Sequence, residues 1–265
     1  MAITYPTTLD TLTNPTSANK LNTTGVEHAT QHSNANDAIE ALEAKVGVNS
    51  SAVTSSLDYW MRTGWISVSD TWTYASATTI TVPSGATSLY QIGDKLMFTQ
   101  TTVKYFIIVA VADTLITVAP SVEYTVANAA ISSIAYSRNT NPLGFPDYFT
   151  WAPTLTGFSA DPTTASYRYS VQGRTCYLIV RQGTAGTSNA TTFTMTAPIT
   201  SSSSSNSIGG APTWKCIDNT VQLTTPGRAY ISTGTATITV DKDVSGGAWT
   251  GSGTKCVNFE LFYPI

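Results

Sequence analysis

The apolar residues of this chain change their period once. Between Ala35 and Met61 they recur every three or four positions, and from Trp65 onward they alternate with polar residues. Those periods belong to helix and strand respectively. The chain therefore reads as a short helical segment followed by β-structure to its end. Ala35, Ile39, Leu42 and Val46 form a seam at spacings of four, three and four, with Asp37, Glu40, Glu43 and Lys45 off it. Thr24, three residues before Glu27, has capping-box spacing; Ser33 and Asn34 are competing starts, and Gly47 supplies a left-handed stop. Ser50 or Ser51 is expected to cap a second short helix carrying Val53, Leu57, Trp60 and Met61 on one face and ending at Gly64. So short a helix with a narrow stripe is not stable alone in water. Its stripe is buried either on its own β domain or against copies of itself. The spacing favours a parallel bundle, a homotrimer with Ala35, Ile39, Leu42, Val46 and Val53 along its seam.

The expected fold class is mainly β, behind an extended arm at 1–25 and a helical trimerisation segment at 26–64. The arm is polar, contains Pro6 and Pro15 and has no periodic apolar face; it is expected to become ordered only along another protein surface. Residues 65–138 read as a small β barrel or sandwich. Trp72, Tyr74, Ile80 and Val82 alternate with Thr and Ser, Val103–Ala112 and Leu115–Val118 are apolar runs, and Pro83-Ser84-Gly85 and Gly93-Asp94 mark turns. Asn139–Pro146, rich in Pro, Gly and Asn, reads as a linker at 139–146. Residues 147–265 show about eight strands of a jelly-roll-like β-sandwich, with Gln172-Gly173 as a hairpin turn and Ser201–Ser205 as an exposed loop.

Composition narrows the partners. Charged residues are 11% of the chain, the net charge is -3 and no Lys/Arg cluster occurs, whereas 47 threonines and 28 serines give it a neutral, hydroxylated character. Nucleic acid is an unsuitable partner for such a surface. The longest apolar run, Val103–Ala112, is half of what a bilayer crossing needs, and the first residues lack the pattern of a secretion signal. Cys176, Cys216 and Cys256 read as buried free thiols rather than a disulfide or metal framework.

Candidate chemistry is sparse. His28 and His32 share a helix face, but Ala29 stands where a zinc protease carries its glutamate; in a trimer they could ring the axis or fix register. Asp241-Lys242-Asp243 copies half a calcium loop, with Ser252 where the bidentate glutamate belongs, and reads as a hairpin turn. Asp147, Asp161, Asp218, Asp241, Asp243 and Glu260 offer carboxylates without a spacing that singles out a glycosidase pair. No catalytic, cofactor-binding or metal residues are assigned. Among the aromatic residues Trp151, Tyr167, Tyr169, Trp214, Tyr230 and Trp249, the last stands out as a possible sugar platform because Gly246–Gly253 offers little to bury it.

Several segments resemble virion fibre and tail-associated proteins of tailed bacteriophages: Tyr5-Pro6-Thr7-Thr8-Leu9-Asp10 with Asn14-Pro15-Thr16, the stretch His28–Gly47, Gly93-Asp94-Lys95, Lys104-Tyr105-Phe106 and Asn141–Pro146. The first sixty residues are the more specific part. The resemblance implies a non-enzymatic, trimeric structural protein of the virion, assembled in the host cytoplasm. Tyr5, Pro6, Leu9, Leu12 and Pro15 would then dock on capsid, neck or tail proteins, and the last domain would project towards host-surface glycan through Trp249 and Trp214. Two alternatives stand beside it: a head fibre or decoration protein that binds no receptor, and a glycan-cleaving appendage.

Overall fold

The computed structural model describes residues 14, 16–24, 26–203 and 209–265. The chain forms two compact units divided after Ser67. The first contains helix α1 (His28–Val46), helix α2 (Leu57–Thr63) and strand β1 (Ile66–Ser67). Thr24 and Glu27 do not form the expected capping box: α1 begins at His28, and the Glu27 side chain does not cap it. The preceding chain is instead held by a turn, with Lys20 N–H donating to Thr23 Oγ1 at 2.8 Å and His28 N–H to the Leu21 carbonyl at 2.9 Å. At Gly47 the backbone adopts φ +84°, and a Cβ there would lie 2.8 Å from the Ser56 side chain. Glycine is thus required both by the backbone and by the close approach of the next helix.

The cap of α2 is Ser56, whose Oγ accepts from Tyr59 N–H at 3.3 Å, rather than Ser50 or Ser51. Ser51 is used otherwise, its N–H donating to the Asp58 carboxylate and its carbonyl accepting from Arg62. Val53 consequently lies in the connection before α2. Gly64 ends the helix in the left-handed conformation.

The second unit opens with β2 (Thr73–Ser76), β3 (Thr79–Thr81), α3 (Ala86–Leu89), β4 (Lys95–Gln100), β5 (Thr102–Ala112), β6 (Leu115–Val118) and β7 (Ser132–Ser137). These strands pair antiparallel in the order β7-β4-β5-β6-β3-β2. They curl over a core that includes Trp72, Ile80, Leu96, Phe98, Phe106 and Ile116. They do not close into a barrel. Helix α3, which has no periodic signature, starts where the Asp113 carboxylate accepts from Ser84 Oγ and Gly85 N–H.

The remaining strands are β8 (Phe149–Thr150), β9 (Leu155–Thr156), β10 (Phe158–Ala160), β11 (Ala165–Gln172), β12 (Thr175–Gln182), β13 (Gly186–Ser188), β14 (Thr194–Thr196), β15 (Gly209–Pro212), β16 (Lys215–Asp218), β17 (Val221–Gln222), β18 (Arg228–Ile231), β19 (Thr237–Asp241) and β20 (Thr254–Pro264). One sheet runs β10-β13-β20-β12-β11-β8, with β16 pairing both β20 and β17; the other runs β15-β18-β19-β14-β9. The inner face of the first, including Val171, Leu178, Val180, Phe259 and Leu261, packs with Met195, Ala229, Ile231, Ile238 and Val240 of the second. This is the expected β-sandwich, and its strands alternate buried and accessible residues because only one face of each sheet meets the core.

The stretch expected as a linker crosses a packed seam. Phe145 stands edge-on to Tyr105 and Phe149, Ile107 and Ala119 join the sandwich core, and the Tyr169 hydroxyl donates to the Pro120 carbonyl at 2.9 Å. Ser201, expected in an exposed loop, is buried, its Oγ donating to the Ser232 and Thr235 carbonyls. Ser204 and Ser205 lie outside the described residues.

Candidate functional site

The α1 stripe faces outward. Ile39, Leu42 and Val46 are 55%, 52% and 45% exposed, Val53 is 56% exposed, and Ala35 is also exposed. Leu21, Val48 and Met61 add further exposed apolar side chains to this unit. Scattered apolar residues at a surface are ordinary; here three of them lie in a row along one helix. The expected docking residues Tyr5, Pro6, Leu9, Leu12 and Pro15 lie outside the described residues. His28 and His32 are exposed, with their rings edge to face at 4.3 Å. No group of three or more His, Cys, Asp or Glu suited to a metal occurs among the described residues.

Trp249 is not a surface platform. It is 3% exposed, donates its indole N–H to the Val240 carbonyl at 2.6 Å and packs edge-on against Phe193. The reason is Asp218, whose two carboxylate oxygens accept from Thr250 N–H and Thr250 Oγ1, each at 2.9 Å. These bonds pin the glycine-rich loop, so the adjacent indole turns into the core. Trp151 and Tyr169 are core residues too. Asp241 pairs with Arg228 of β18 at 2.6 Å, and Asp243 accepts from Ser245 and Gly247 N–H, so the motif ends β19 in a tight turn; it is not the expected hairpin turn, because β19 and β20 lie in different sheets and do not pair.

Lys255 is fully buried behind Trp249. Its ammonium donates to the Ala190 and Thr192 carbonyls at 2.9 and 2.8 Å and lies 5.0 Å from the Phe158 ring centroid. Burial lowers its pKa to about 8, opposed by the charge of Asp218. The three cysteines are buried and free; burial pushes the Cys176 and Cys216 thiols up to about 12, so they remain protonated and poorly nucleophilic.

Trp214 remains at the surface, 52% exposed, with the Arg181 guanidinium 4.2 Å over its ring. Arg181 bonds Glu260 at 2.9 Å, and Glu260 is held below the usual carboxylate range by hydrogen bonds first from Tyr177 and then from Arg181. The Tyr177 ring stacks on Phe262 with centroids 4.5 Å apart and planes 16° from parallel. Tyr148 stands tilted beside Tyr177 at 6.3 Å. The outer face of β12 and β20 thus carries a continuous strip from Trp214 through the Arg181–Glu260 pair to three neighbouring rings.

Nothing in the sequence alone singles out Tyr148, Tyr177, Arg181 or Phe262. The alternation was visible: Cys176, Leu178 and Val180 point inward, as do Phe259, Leu261 and Tyr263, so their neighbours point out. The register that sets Tyr177 opposite Phe262 is what joins them. No protein-family model, curated protein or solved structure matches the chain.

Proposed function

We propose that the chain is a non-enzymatic structural protein of a tailed-bacteriophage virion. Three copies assemble through α1 into a fibre or appendage, residues 1–25 dock on the particle, and the C-terminal sandwich is displayed towards host-surface glycan. The observation that carries this reading is the exposed row Ile39, Leu42 and Val46, to which Val53 adds. An apolar row of that spacing on a short helix is stabilised when parallel copies cover it, each side chain inserting between those of its neighbours. The neutral, Thr-rich surface suits a permanently assembled component, and the bland uses found for Trp249, Asp241 and Asp243 leave the sandwich with structural roles at those positions.

Sedimentation velocity of the full-length chain at micromolar concentration tests the assembly. The expected mass is three times the 28.1 kDa chain; a single 28.1 kDa species refutes it. Deleting residues 1–25 is expected to leave the mass at three times that of the shortened chain while abolishing incorporation into particles. The reading with a receptor-binding head is favoured over a purely decorative one by the exposed aromatic strip around Phe262 and Trp214.

A further inference from the structure

We infer that the cleft beside Tyr148, with the Tyr177–Phe262 stack as its platform, binds a neutral oligosaccharide. This rests on the sandwich being a displayed binding head and names its ligand class. The cleft has a volume of about 740 Å³, within the range that holds a small ligand. Tyr177 covers one face of Phe262, yet that ring is 60% exposed, so its opposite face is open to solvent; Tyr148 is 41% exposed. Around these rings the cleft is lined by Asn141, Asp147, Gln172 and Thr175.

A pyranose has the matching chemistry. Its C–H face lies against the electron-rich face of an aromatic ring, while its hydroxyls donate and accept at amide, hydroxyl and carboxylate groups on the rim. Charge selects the kind of glycan. The residues lining the cleft include the acidic Asp147 and no Lys or Arg. Arg181 on the neighbouring strip is occupied by Glu260 and Trp214, and Arg174, exposed between the lining residues Gln172 and Thr175, does not itself line the cleft. Sulfated, phosphorylated or uronic-acid polymers would meet Asp147 with no basic side chain among the lining residues, whereas neutral sugars carry no charge for it to repel. A flat protein partner would be better served by an unbroken apolar surface than by ring faces interrupted by single polar groups.

The test is affinity electrophoresis of the full-length protein through gels containing neutral polysaccharides (glucans, mannans and galactans), with alginate as the polyanion. Retardation by at least one neutral polymer is expected. Phe262→Ala and Tyr148→Ala should each weaken it at least tenfold while leaving the thermal midpoint and the sedimentation mass unchanged, because both side chains are substantially exposed. The inference is overturned by no retardation in any neutral gel, by retardation in alginate alone, by full retention in both variants, or by loss only in Trp214→Ala. It is also overturned if the two variants lower the sedimentation mass, which would make this face a contact between copies. A monomeric wild-type protein that still binds through Phe262 would refute the assembly and uphold the cleft.

Discussion

Replacing Ile39 and Leu42 together by alanine removes the centre of the exposed α1 row while retaining the best helix former at both positions. The size of the effect follows from exposure. Full burial of a Leu or Ile side chain stabilises by about 1.5–3 kcal/mol. These two are 55% and 52% exposed in the single chain, so association has about half of that to gain. That is about 1 kcal/mol per side chain, or about 6 kcal/mol over two positions in three copies. At 1.4 kcal/mol per factor of ten, the trimer association constant falls roughly ten-thousandfold. For the proposed assembly of three chains, the concentration of half-assembly varies as the inverse square root of that constant and rises roughly a hundredfold. Sedimentation equilibrium over a concentration series reads this directly, with far-ultraviolet circular dichroism checking that the helix is kept. An unchanged midpoint in the double variant, with helix content intact, would refute the reasoning.

Trp249→Ala should destabilise the protein by about 3–5 kcal/mol in urea unfolding, as expected for a buried indole; a loss below about 1 kcal/mol would place the ring outside the core. The cysteines should react with a thiol reagent at pH 8 only as fast as the protein unfolds, since Cys176, Cys216 and Cys256 are buried and their thiols are raised; fast labelling in the native state would contradict this. The lysine at 255 has a native pKa lowered to about 8 from 10.5, so between these values the unfolded chain binds more protons and stability rises with pH. The rise should amount to about 1.5 kcal/mol between pH 8 and about 9.5. It should vanish in Lys255→Met; an equal slope in both proteins would assign it to other groups.

The two periodicities carried the helix and the β-rich class, because each depends only on neighbours within one element. Leu115–Val118 is a strand with those same limits. What failed depended on contacts across the chain. Gly246–Gly253 has the composition of an exposed loop, yet Asp218, 32 positions before Thr250, pins it and buries Trp249. Ser201 likewise sits in a run of serines but fills a polar niche against Ser232 and Thr235. The expected caps were displaced: Ser51 is drawn into bonds with Asp58 and Arg62, leaving Ser56 to cap the second helix, and the first begins at His28, three residues beyond the N1 position that a Thr24 cap would set. Strands such as β8, β9 and β17, two residues each, are too short to show any period. The aromatic strip was half legible: alternation turns Tyr177 and Phe262 outward, but only the β12–β20 register brings the two rings together.

Electron cryo-microscopy of tailed-bacteriophage particles assembled in the presence of the chain tests the proposed role most directly. The account predicts a threefold density in which residues 1–25 lie against the particle, α1 runs along the axis and the sandwich is outermost. Single copies, a sandwich turned towards the particle, or no copy of the chain on it would contradict the account.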